Sequence, residues 1–78
     1  MKYSVEKLLI SEDGEIFRPG EILDITWRKN LSETTTNGRY CGYERDMYST
    51  IHIKIDISKD LNSNFAYIEA RKIKNISR

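Results

Sequence analysis

Ile51-His52-Ile53-Lys54-Ile55-Asp56-Ile57 decides the fold. Four isoleucines alternate with three polar residues. An extended chain therefore carries every isoleucine on one face and every polar group on the other. A helix would spread the same isoleucines around its circumference. The stretch reads as a half-buried strand, and its polar outer face suits an internal place in an antiparallel sheet.

The pattern repeats on either side. In residues 21–27, Leu23, Ile25 and Trp27 point one way, while Ile22, Asp24 and Thr26 point the other. Residues 65–70 form a further strand with faces Phe65, Tyr67, Glu69 and Ala66, Ile68, Ala70. Asn37-Gly38 is the strongest hairpin dipeptide in the chain, which makes residues 28–36 a polar loop with a strand arm at Thr34-Thr35-Thr36. Residues 39–44 then return, and Arg45-Asp46-Met47-Tyr48 turns tightly into the isoleucine strand. Near the start, Asp13-Gly14 favours a hairpin between residues 8–10 and 15–18, against a competing helix suggested by the spacing of Val5, Leu8 and Leu9. Pro19-Gly20 suits a type II turn. Residues 58–64 read as a polar connection with at most one helical turn from Ser58. Ile73 and Ile76 are three apart: a plain strand would separate them and a 3₁₀ turn would unite them.

The expected class is all-β with at most one short helical turn, in a single domain over residues 1–78. A five- to six-stranded antiparallel sheet that curls on itself is the economical way to cover one apolar face at this length. The expected core is Leu23, Ile25, Trp27, Ile51, Ile53, Ile55, Ile57, Phe65 and Ile68. Residues 13–25, where Asp13-Gly14 leads through Ile16-Phe17 and Pro19-Gly20 into Ile22-Leu23-Asp24-Ile25, resemble the opening of SH3-like barrels. Residues 38–76 are similar to the small SH3-like or Sm-like barrels of phage and mobile-element proteins. The resemblance implies a small barrel with a binding role. It transfers no functional residue, because Leu8-Leu9-Ile10 stands where a peptide-binding SH3 motif begins with aromatics.

Composition narrows the function. The 78 residues allow one core. Thirteen basic residues against twelve acidic ones give a net charge of +1, unlike a strongly basic nucleic-acid binder or an acidic mimic. Cys41 is the one cysteine, too few for a disulfide or a zinc site. Met1-Lys2-Tyr3-Ser4-Val5-Glu6-Lys7 lacks the apolar run of a signal peptide, and no apolar stretch nears the roughly 20 residues that span a bilayer. A cytoplasmic chain with no membrane partner is expected.

No catalytic residue, cofactor site or metal site is expected. His52, the one histidine, sits on the wet face with Asp56 four residues along, about 13 Å away at strand rise and out of direct reach. Cys41 with His52 would make a nucleophile and base on paper, but Cys41 reads as an ordinary strand residue. Asp56 and Asp60 lack the ligand spacing of a calcium loop.

The surface most suited to a partner is Trp27, Arg28, Arg39, Tyr40, Tyr43, Arg45 and Tyr48, gathered if Asn37-Gly38 closes a hairpin. Tyrosine and arginine are the side chains richest in interface hot spots, which favours a protein partner, self or other. The same rings beside arginines suit single-stranded nucleic acid, the alternative.

Overall fold

The isoleucine strand is central. The computed structural model describes residues 2–3, 7–58 and 64–78. Its strands are β1 (Lys2–Tyr3), β2 (Leu9–Ile10), β3 (Ile16–Phe17), β4 (Ile22–Lys29), β5 (Ser32–Arg45), β6 (Ile51–Asp56), β7 (Phe65–Glu69) and β8 (Ile73–Ser77), with a 3₁₀ turn at Ala70–Lys72 before β8. β1, β2 and β3 pair in that order in a small sheet. The main antiparallel sheet has the order β7-β6-β5-β4-β8, so β6 is internal, as its polar outer face requires.

β7 and β8 occupy opposite edges of that sheet, yet only the three residues of the 3₁₀ turn separate them. At about 2 Å rise per residue such a turn spans only a few ångströms. The sheet must therefore curl until its two edges approach, although it does not close. β5 carries the bend: residues 32–39 pair with β4 and residues 39–45 with β6. Gly38 sits in the bend. A Cβ placed there would lie 2.5 Å from the Asp56 carbonyl oxygen and from Ile55 Cγ2, so only glycine permits this curvature.

The core is Leu9, Phe17, Leu23, Ile25, Tyr40, Ile53, Ile55 and Ile68, all fully buried. Leu9 and Phe17 face each other across β2 and β3, and so lid the open side of the curled sheet. Trp27, Ile51, Ile57, Ile73 and Ile76 pack around them half-buried.

Three expectations need correction. Asn37-Gly38 closes no hairpin: the turn is Asn30-Leu31, where Lys29 faces Ser32 and Asn30 takes φ 56. Residues 28–36 are consequently the end of β4, a two-residue turn and the start of β5 rather than a loop. Asn37 instead donates from Nδ2 to Asp24 Oδ1 at 2.8 Å across the ladder. Phe65 is not core. It shares its face with Tyr67 and Glu69, and that face points outward because Ala66 and Ile68 oppose Ile55 and Ile53.

Two other turns form as read. Ser11 and Asp13 bond within the β2–β3 turn, and Gly14 adopts φ 89. Glu21 N–H donates to the Arg18 carbonyl at 3.2 Å with Gly20 at φ 100, the type II signature. The β5–β6 turn lies one residue later than expected, over residues 46–49, because Asp46 Oδ1 accepts from Tyr48 N (2.8 Å) and Thr50 N (3.0 Å). Most of residues 58–64, including the suggested helical turn and Asp60, lie outside the described residues.

Candidate interaction surface

Two bulges set which side chains face outward. On β5, Tyr40 opposes Ile55 and Gly42 opposes Lys54, so Cys41 is an extra residue and Gly42 takes φ 112. The shift brings Tyr40 and Tyr43, three apart, onto the same inner face.

The seven residues proposed from the sequence therefore do not meet. Tyr40 is fully buried and belongs to the core, which corrects its assignment to a surface; its hydroxyl donates to the Lys7 carbonyl at 2.6 Å. Trp27 is half-buried on the inner face and donates from Nε1 to Thr36 Oγ1 at 3.0 Å. Tyr43 is half-buried beneath the Lys7 ammonium, 4.5 Å from its ring centre. Arg28, Arg39, Arg45 and Tyr48 are exposed, but Arg28 and Arg39 are separate in the ladder from each other and from the β5–β6 turn. Arg28 is next to the Asn30-Leu31 turn, Arg39 is mid-sheet and bonded to the Gly20 carbonyl (2.7 Å), Arg45 ends β5 and Tyr48 lies within the β5–β6 turn.

The register instead assembles another surface on the outer face. One row crosses four strands: Phe65, Asp56, Arg39 and Ile22. The next pairs Tyr67 with Lys54, whose ammonium lies 4.4 Å from the Phe65 ring centre. Phe65 is 38% exposed, Tyr67 51% and Ile22 50%. Phe65 and Tyr67 border the free edge, since among the described residues β7 pairs with β6 alone. Sequence reasoning missed them by assigning Phe65 to the core. The signal was Glu69, which shares their parity and marks that face as wet.

A third row places His52 between Glu44 and Glu69. His52 Nε2 lies 3.0 Å from Asp46 Oδ2, and this bond is the main reason the Asp46 carboxyl titrates below its usual range. Arg71 is the main cause of a similar depression at Glu69. The orienting carboxylate for His52 is thus Asp46, not Asp56. Cys41 Sγ bonds the Arg39 carbonyl (3.4 Å) rather than completing a pair with the histidine. Among the described residues, no group of three His, Cys, Asp or Glu side chains could hold a metal ion, and no helix is long and apolar enough to cross a membrane.

The opposite edge differs. Lys74 is the extra residue of a bulge on β8, because Trp27 opposes Ile73 while Thr26 opposes Asn75. The bulge turns both Ile73 and Ile76 inward. Lys74 reaches Glu33, so the cation of β8 is paired within the chain, while Arg71 of the 3₁₀ turn reaches Glu69 of β7. Arg78 clasps the end of the sheet: it bonds Glu15, Glu21 and the Ile16 carbonyl and lies 4.7 Å from the Phe17 ring centre. A groove of about 540 Å³ separates β8 from the β2–β3 turn. Comparison of the chain with protein-family models, curated proteins and solved structures gives no match.

Proposed function

We propose that this protein is a non-catalytic interaction module that binds another protein chain by strand addition along the free edge of β7. The observation carrying the reading is that edge itself, in uninterrupted register with β6 at all five residues and bordered by exposed Phe65 and Tyr67. An added strand gains main-chain hydrogen bonds from the edge and side-chain specificity from the rings beside it. The strand order, with the last strand returning beside β4, supports the resemblance to small SH3-like barrels at the level of fold. A cytoplasmic setting accords with the lone, exposed thiol of Cys41.

The test is selection from a library of extended peptides on the immobilised chain, followed by amide hydrogen exchange of the complex. Binding peptides should slow exchange in β7, residues 65–69. Protection confined to another element, or no selected peptide, overturns the reading.

Single-stranded nucleic-acid binding is the second reading. It is favoured by one observation: Phe65 and Tyr67 lie two residues apart on one sheet face beside Lys54, a spacing that suits base stacking. Asp56, Glu44 and Glu69 share that face and oppose a phosphate backbone. Titration with oligo-dT and oligo-rU at about 50 and 200 mM salt separates the readings, because phosphate contacts weaken steeply with salt. No binding at the lower salt removes this reading.

A further inference from the structure

We infer that the chain which adds to β7 is a second copy of the same strand, antiparallel, about a twofold axis through Tyr67. The inference rests on the strand-addition reading above and names its partner.

The register follows from the five residues of β7. An axis at Tyr67 pairs Phe65 with Glu69 of the other copy, Ala66 with Ile68, and Tyr67 with Tyr67. Moving the axis to Ala66 or Ile68 leaves two residues of each strand unmatched. Around Tyr67 every residue is used and outer side chains meet outer side chains, as the period of two demands. The pairs suit one another. The two Tyr67 rings form a cross-strand aromatic pair, and large Ile68 lies beside small Ala66 on the inner face. Glu69 is the one charged residue of β7, and this register sets it opposite Phe65, not opposite its own copy. Lys54 already lies over Phe65, so the arriving carboxylate, which Arg71 of its own chain holds at 2.8 Å, comes beside a further ammonium and not a like charge. The paired edges make one continuous sheet of ten strands, which removes the undefended edge from both copies. Two five-residue strands make a small interface, so a concentration-dependent dimer is expected rather than a permanent one.

Sedimentation equilibrium of the full chain tests this. The wild type should shift from monomer toward dimer as concentration rises to about 1 mM. Tyr67→Lys and Tyr67→Glu each oppose like charges at the axis, so each variant alone should remain monomeric. Their equimolar mixture should dimerise again, because lysine then faces glutamate. Trp27 fluorescence verifies that both variants are folded. A wild type that stays monomeric overturns the inference, as do single variants that dimerise unchanged or a mixture that fails to associate. A monomeric wild type that still takes library peptides on β7 removes the second copy but keeps strand addition; a monomer that takes none removes both.

Discussion

β7 and β8 end the same sheet, but β7 matches its neighbour residue for residue, whereas β8 is interrupted at Lys74. β8 also carries a lysine on its edge, engages that lysine with Glu33, and lies beside the Arg78 clasp. Bulges and edge lysines are the devices by which sheet proteins refuse further strands. β7 has neither, and it turns Phe65 and Tyr67 outward beside its free edge. The sheet is not closed, so it has two edges to manage. It defends one, and the other, among the described residues, carries no such device.

The largest expected effect breaks the comparison altogether. Gly38 lies where β5 passes from the β8 half of the sheet to the β7 half. Gly38→Val would drive a side chain into the Asp56 backbone and Ile55. A loss of about 3 kcal/mol is expected from overpacking against atoms that cannot yield. Urea denaturation followed by Trp27 fluorescence measures it. A cost near zero would show that the two halves are not held together at this point.

The same glycine explains where sequence reading stopped. Strands of strict alternation, β4 and β6, were legible because one face is buried throughout. Asn37-Gly38 looked like a turn because a turn and a close approach both demand glycine, and a single sequence does not distinguish a sharp bend of the chain from a neighbour at 2.5 Å. Alternation also fails at a bulge. Tyr40 and Tyr43, like Ile73 and Ile76, are three apart, yet each pair faces inward because Cys41 and Lys74 each add a residue. The proposed aromatic surface drew in part on Tyr43 and Arg45, whose parity relative to Arg39 and Tyr40 the β5 bulge changed. The observed surface lies on β7, where alternation holds but both faces carry apolar groups.

A second pair of variants sharpens the contrast between the edges. Ile68 on β7 is fully buried, while Ile76 on β8 is half-buried. Ile68→Ala should cost about 3 kcal/mol and Ile76→Ala about 1 kcal/mol, both read from thermal and urea unfolding. Equal costs would mean that the accessible edge is no more firmly anchored than the defended one.

A smaller effect tests the clasp on the β8 side through pH. Arg78 is the main reason the Glu21 carboxyl titrates below its ordinary 4.5. A carboxyl depressed in the folded state contributes stability above its unfolded value and loses it as pH falls through the folded one. Arg78→Ala should therefore lower the melting temperature at pH 7, with a difference that shrinks steadily below about pH 4.5 and vanishes once Glu21 is protonated in both proteins. A difference that persists at about pH 2 would place the clasp's contribution in Phe17 packing rather than in charge.

The smallest effect on stability belongs to the residue at the axis of the proposed dimer. Tyr67 is half exposed and opposes Lys54 on the wet face, so its ring closes no cavity when replaced. Tyr67→Ser should alter folding stability by no more than about 0.5 kcal/mol, as surface substitutions usually do. It should nevertheless weaken dimerisation measurably, since the axis would lose its aromatic pair. The matched control on the defended edge is Asn75→Ser, which opposes Thr26 on the same outer face of the sheet. That variant should leave both stability and mass unchanged. If Asn75→Ser weakened association as much as Tyr67→Ser, the asymmetry between the edges would carry no functional meaning, because the defended strand would be contributing to pairing as well.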